Sequence, residues 1–455
     1  MGNPKGRAMT PSLSTLTEAL LAAAKRAGAE AADAMAVSGT SMSIDIRKGA
    51  LEQAERAEGT DIGLRVLIGR RQACVSASDT SPATIAALAE RAVAMAREAP
   101  EDPTAGLADP AELAATWDAS GLDLCDPAAE PTAAALESDA RILESAAMSR
   151  TGITQVEASS GYSRRQIHIA ASNGFYGGYA RSSRSMSAVA FTGTGTAMER
   201  DWAGEQRVYA ADLPDTAGIG HLAADRTLQR PGAVQPKTGT YPVLYDERIA
   251  ASLIGHLLSA VNGAAIARGS SWARDLMGQA ILPKGLSVTE DPLRPRLSAS
   301  RPFDAEGLAT RKRALVADGV LSGWVLDLAT ARKLGLASTA NAARGTGGPP
   351  SPSTTNIDLT PGTHTRDDLI TQMGTGLLVT SMIGSTINPT TGDYSRGASG
   401  FWVQDGQISH PVHECTIAGN LRDMLARMIP ANDARPHLSM RVPSILIDGM
   451  TLAGA

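Results

Sequence analysis

The chain has 455 residues, and its 42 basic side chains stand against 47 acidic ones for a net charge of −5. A balance that close to neutral provides no field to draw in nucleic acid or an anionic membrane surface. Hydrophobic residues reach 43% but aromatics only 4%, and 45 glycines and 25 prolines interrupt the chain, so the core is expected to be aliphatic and cut by many turns.

The opening, MGNPKGRAMTPS, contains no apolar stretch of an export signal, and Gly6 stands where a myristoylation site needs Ser or Thr. Cys74, Cys125 and Cys415 are far apart and outside any C-x-x-C pair, which excludes a disulfide framework and suits a reducing compartment. Two long uncharged stretches, 249–267 and 369–392, hold too much Ser, Thr, Asn and His to lie in hydrocarbon. The expectation is a soluble, cytoplasmic protein with no membrane part and no direct nucleic-acid contact.

The fold class expected is α+β. In the first domain, 10–100, Thr15-x-x-Glu18 reads as a capping box opening a helix that Gly28 stops. Alternating apolar residues (Met42, Ile44, Ile46, then Ile62, Leu64, Val66, Ile68) predict strands around a Lys48-Gly49 turn. A second helix starts at Ser81-Pro82. Two helices on one antiparallel sheet give a two-layer N-terminal domain. Residues 101–125 read as a linker.

The middle domain, 126–233, repeats the order helix, strands, helix without a residue-level repeat. It has a helix from Thr132 to Met148, strands at 153–159, 166–171 and 181–192 with an Asn173-Gly174 hairpin signal, and a helix over 216–228. The C-terminal domain, 237–455, is strand-rich and barrel-like, with one long helix over 247–267. Its later strands are expected at 315–316, 320–326, 400–403, 407–409, 415–417 and 444–447.

The chain lacks a phosphate-binding G-x-x-x-x-G-K-[ST] loop, Gly193-Thr-Gly195 lacks a third glycine, and Gly397-Ala-Ser399-Gly400 is one residue short of a nucleophile elbow. None of the seven histidines forms an H-E-x-x-H pair. The one cluster is His410-Pro-Val-His413-Glu414-Cys415. On a regular strand His413 and Cys415 would share a face and His410 would take the other. His410, His413 and Cys415 stand as the alternative metal site, with Glu414 beside them in an autonomous-hydrolysis reading.

The run Gly392-Asp-Tyr-Ser-Arg-Gly-Ala-Ser-Gly-Phe-Trp-Val403, followed by Pro411-Val and Thr416-Ile-Ala-Gly-Asn-Leu421, resembles the C-terminal signature of the TldD/PmbA family in its TldE/PmbA branch. Arg301-Pro-Phe-Asp-Ala-Glu-Gly307, Asp318-Gly-Val-Leu321, Ala331-Arg-Lys-Leu334, Pro443-Ser-Ile-Leu-Ile-Asp-Gly-Met450 and Gly63-Leu-Arg-Val66 agree with it. The resemblance spans nearly the whole chain.

That resemblance implies a subunit of a heteromeric zinc peptidase acting on unfolded peptides in the bacterial cytoplasm. The TldD sister carries His-Glu-x-x-x-His on the helix that follows the first strand of the C-terminal domain, and a cysteine further on. Aligned with it, this chain has Gly255 and Ala260 in the histidine positions, His256 in the glutamate position, and no cysteine near Met440. The implied reading is a chain that binds no metal, beside a zinc-bearing TldD-type partner in a heterodimer, or paired with itself in a homodimer. Among Leu253, Leu257 and Leu258, His256 reads as a hydrogen-bonded core or interface histidine. The Asp393-Tyr394-Ser395-Arg396 segment, read as a turn, is the candidate lining of a peptide chamber. The alternative implied by the family is a homodimeric binding protein, a modulator of DNA gyrase, with no peptidase role.

Overall fold

A computed structural model describes residues 12–116 and 118–455. The opening residues considered above for an export signal, and the first positions of the expected N-terminal domain, lie outside that range. The first helix, α1 (Leu13–Ala27), begins earlier than the capping-box pattern indicates. Ser12 accepts the Thr15 N–H at 3.2 Å, so Thr15 sits inside the first turn, whereas Gly28 ends the helix at φ 99 as its position foretells.

Six strands follow: β1 (Ala31–Arg47), β2 (Ala50–Ile68), β3 (Arg71–Ala77), β4 (Ile153–Ala171), β5 (Tyr176–Thr192) and β6 (Glu199–Arg207). They form one antiparallel sheet in the order β3-β2-β1-β4-β5-β6. The N-terminal and middle units are therefore continuous through β1 and β4, which pair from Asp33↔Ala171 to Arg47↔Glu157. The two strands expected at 153–159 and 166–171 are one. The polar stretch between them is held in the ladder from both sides, by β1 and β5.

The helices α1 and α2 (Pro82–Glu98) cover one end of the sheet, with Leu16, Leu20, Ile85 and Leu88 against Ile62, Leu64 and Val66. The helices α3 (Ala133–Met148) and α4 (Thr216–Leu228) cover the other, with Leu143 and Ile219 against Val156, Ala158 and Ala188. Small side chains at these contacts let helix and sheet approach closely, which is how a core so poor in aromatics still closes.

In the C-terminal unit, β7 (Gly239–Tyr245) leads into α5 (Glu247–Ala260), and a short α6 (Gly263–Arg268) follows. The single helix expected over 247–267 is broken at Val261-Asn262. Asn262 caps α6 through Ala264 N–H, and Gly263 N–H bonds to Val325 O at 2.8 Å. A Cβ at Gly263 would collide with Leu326, Thr330 and Val325, so the break lets the chain pack against that segment.

Short strands β8 (Val288–Glu290), β9 (Arg313–Ala317), β10 (Val320–Leu321), β11 (Ala342–Ala343), β12 (Ser351–Pro352) and β13 (Ile357–Leu359) come next, with α7 (Leu328–Leu334) among them. The strand expected over 320–326 stops at Leu321. Beyond it the chain bonds to Val261 and Gly263 through Val325 instead of pairing in a sheet.

After α8 (Arg366–Met373) come β14 (Gly376–Ile387), β15 (Asp393–Gln404), β16 (Gln407–Asn420), α9 (Leu421–Ala426), β17 (Ile429–Pro430), β18 (Met440–Arg441) and β19 (Ile445–Ala453). β7, β14, β15, β16 and β19 form a barrel that the β16–β19 pairing closes, so the barrel-like expectation holds. The segments 407–409 and 415–417 belong to one strand. Asp393–Arg396 is the start of β15, and the turn lies before it, ending at Gly392 with φ 83. No helix among the described residues is long and apolar enough to cross a membrane.

Candidate functional site

α5 packs Leu253, Ile254 and Leu257 into the main C-terminal core with Tyr245, Val379 and Tyr394. That packing turns His256 toward β15. Its ring stands edge-on to Tyr394, with centroids 5.8 Å apart and planes at 72°. Its Nε2 is buried without a hydrogen-bond partner, so the hydrogen-bonded role expected of this histidine is not met at that atom, because the ring meets the Tyr394 ring edge-on instead. Burial pushes the imidazole below its ordinary range, and the Arg396 charge adds to that effect, so the ring is neutral near pH 7.

Gly255 and Ala260 flank it. A Cβ on Gly255 would meet open space, whereas Ala260 is buried in the core at the last residue of α5. A catalytic zinc needs three protein donors around one point. Gly255 and Ala260 offer none, which leaves His256 as the one candidate donor among these three positions of α5. The residues at the α5 position do not fit the metal.

The candidate chamber residues divide between the two faces of β15. Tyr394 is buried, its hydroxyl 3.4 Å from Met382 Sδ, and Arg396 Nε donates to Gly384 O at 2.8 Å. Asp393 is exposed, accepting from Thr391 Oγ1 at 2.6 Å and Asn420 Nδ2 at 3.1 Å, and those bonds lower its carboxyl below the usual range. Ser395 is partly exposed. Tyr394 and Arg396 come together near His256, and Asp393 does not join them.

The histidine–cysteine cluster is also pulled apart. Glu414 adopts φ 49, and β16 opposes Ala398 with Cys415 but Gly400 with Val412. The extra residue is a β-bulge, which shifts the side-chain alternation by one. His413 therefore faces out, 3.9 Å from Glu199, while Cys415 points into the core and donates to Ala398 O at 3.2 Å. The two do not share a face as a regular strand would require. Burial pushes the Cys415 thiol up to about 11, far from the thiolate a metal binds. His410 bonds its neighbour Ser409 at 3.1 Å. Among the described residues no three His, Cys, Asp or Glu side chains converge as a metal site.

A charged cluster that the sequence did not single out lies where the C-terminal unit meets the sheet. Asp33 on β1 binds Arg65 Nε at 2.6 Å and ion-pairs with the buried Arg344. Asp304 accepts from the Glu306, Leu308 and Ala342 N–H groups, and Glu306 accepts from Leu328 N–H at 2.9 Å. Burial, with Asp304 beside it, raises the Glu306 carboxyl to about 8. In the sequence Asp304 and Glu306 appear only within a family motif, and nothing local marks them as buried.

Models of the PmbA/TldA metallopeptidase family match in three parts: domain 1 over residues 32–96, the central domain over 122–230, and the C-terminal domain over 238–454. Metalloprotease PmbA of Escherichia coli O157:H7 is 35% identical over 436 residues, covering 95% of this chain and 94% of that protein. The chain belongs to the PmbA/TldD family. A metalloprotease PmbA homolog of Haemophilus influenzae is 34% identical over the same shares. Among solved structures, a Bacteroides thetaiotaomicron protein named as a modulator of DNA gyrase superposes with a TM-score of 0.90 at 26% identity, covering 97% of this chain and 98% of that one. TldE from Thermococcus kodakarensis superposes at 0.82 with 20% identity, covering 96% and 100%, a likeness of fold. The resemblance read from the C-terminal motifs therefore stands, and with it the α+β family fold.

Proposed function

We propose that this chain is the subunit of a TldD/TldE-type peptidase that carries no catalytic zinc and works in the cytoplasm beside a zinc-bearing partner on unfolded peptides. The observation that carries the reading is the donor set on α5. Gly255 and Ala260 have no ligating atoms, and His256 stands alone against Tyr394. His256, Tyr394 and Arg396 then hold shape and charge at the position where the sister subunit carries out hydrolysis. They bind no metal and move no proton.

The test is reconstitution. A TldD-type chain from the same organism, loaded with zinc, is assayed on an unstructured peptide with and without this protein. The expected result is faster cleavage with it and none by this chain alone. Equal cleavage in both assays sinks the reading. The Bacteroides neighbour is named as a modulator of DNA gyrase, and that name favours a second reading, in which this chain is a modulator. Recovery as a lone homodimer, with no TldD-type chain co-purifying, would select it.

A further inference from the structure

A hollow of about 280 Å³ opens at the edge of the large sheet, between β6 and α4. That is just under the ~300–1,000 Å³ usual for ligand sites, so an occupant has to be compact. Ala203, Pro214, Ile219 and Leu222 give it an apolar surface, and Arg435 of the C-terminal unit stands on its rim. Leu222 is 45% exposed, an apolar side chain of α4 beside an empty concavity. The hollow shares no lining residue with the His256, Tyr394 and Arg396 region.

Arg226, one turn beyond Leu222 on α4, lines the same hollow and is half-buried. Its Nη1 donates to Trp202 O at 3.1 Å, and its other N–H groups meet no acceptor among the described residues. The carboxylates around it are taken up by other arginines. Asp201 is held by Arg230 at 2.7 Å, Asp246 by Arg248 at 2.9 Å and Glu247 by Arg435 at 2.7 Å. Burial pulls the Arg226 guanidinium below its ordinary range, and the Arg248 charge adds to that.

A cation drawn out of water without a counter-ion costs free energy that an incoming anion returns. A guanidinium suits a carboxylate because the two can meet through paired hydrogen bonds. Glu205 and Asp215 also lie on the lining. Arg207 holds the first at 2.7 Å, and the second caps α4 through the Gly218 N–H at 2.8 Å. Their charges still oppose an anion carrying more than one negative charge, which disfavours a phosphate.

We propose that this hollow binds a compact monocarboxylic acid with an apolar body, its carboxylate on Arg226 and its body against Ile219 and Leu222. The site does not depend on the subunit reading and holds whichever way that reading falls. The probe is octanoate, titrated into the full chain and read by isothermal titration calorimetry. Octylamine, 1-octanol and acetate run in parallel.

Octanoate is expected to bind saturably at one site, and the other three about tenfold more weakly or not at all. Arg226→Gln, which keeps a donor for Trp202 O, should weaken octanoate about tenfold or more, whereas Arg226→Lys retains most of the binding. Leu222→Asp should weaken it as much. Leu51→Asp, on an equally exposed residue of β2, should change nothing. Absence of saturable octanoate binding overturns the proposal, as does indifference to both Arg226→Gln and Leu222→Asp. Equal binding of octylamine or 1-octanol by the unmutated chain overturns it too, since the charge is then not read.

Discussion

Arg344 closes on Asp33 of β1 from 311 positions further along the chain, and Arg65 holds the same carboxylate from β2. Its Nη2 is left without a hydrogen bond, and burial pulls the guanidinium down to about 10. The contact joins the C-terminal unit to the large sheet. With Arg344 removed Arg65 still compensates the Asp33 carboxylate, so the loss is one charge-assisted hydrogen bond and the packing around it. Arg344→Ala should lower the unfolding free energy by about 2 kcal/mol in urea titration. A variant with the wild-type midpoint would show that the pair holds nothing.

Glu306 gives stability a pH dependence of known sign. Its folded value of about 8 stands above its ordinary value of 4.5. The folded state therefore keeps a proton that the unfolded state has released, and stability falls as pH climbs from about 4.5 through 8. Glu306→Gln keeps an acceptor for Leu328 N–H and removes the titration. The variant should match wild type near pH 4.5 and exceed it by roughly 4 kcal/mol at pH 8.5. Parallel stability curves for the two proteins across that range would rule this out.

His256 gives the opposite slope. Its folded value is depressed, so the stability it contributes is present above its ordinary 6.5 and is lost as pH falls through the folded value. His256→Leu removes both that loss and an unpaired buried nitrogen. The expected gain is about 1 kcal/mol at pH 7 and more at pH 5, with no loss of partner-dependent cleavage. Loss of cleavage in a variant that folds as well as wild type would give this ring a working role.

Metal content is the fourth expectation. Tag-free protein should show no stoichiometric zinc in elemental analysis, and chelators should move its thermal midpoint by less than about 1 °C. One zinc per chain would turn attention to His410 and His413.

The sequence carried the helix ends and the tight turns well. Gly28, Ser81-Pro82, Thr132 and Asn173-Gly174 act where their chemistry places them, because caps and turns depend on a few neighbouring residues. It misled wherever partners far along the chain decide. The Ser160–Arg165 stretch reads as a break but is a strand because β1 and β5 flank it. The helix after β7 stops at Val261 because residues near 325 need the space beside Gly263. At the candidate site, the neighbours Leu253 and Leu257 mark the helix that packs on the core, but not that the His256 Nε2 is left without a hydrogen bond. Nor could the separation of His413 from Cys415 be read there, since it follows from one residue, Glu414, entering a left-handed conformation on β16.

The closed barrel sets an order of assembly during synthesis. β7 ends at Tyr245, yet its neighbour β19 supplies Met450, 205 positions later, to the Tyr245 hydroxyl. A ribosome releases on the order of 5–20 residues each second, so β7 waits roughly ten seconds or more for the strand that completes it. The sheet of β1 to β6 lies wholly upstream and can form first. Contacts this distant in sequence slow folding, so the barrel strands are the part of the nascent chain that stays open longest to chaperones and to misassembly.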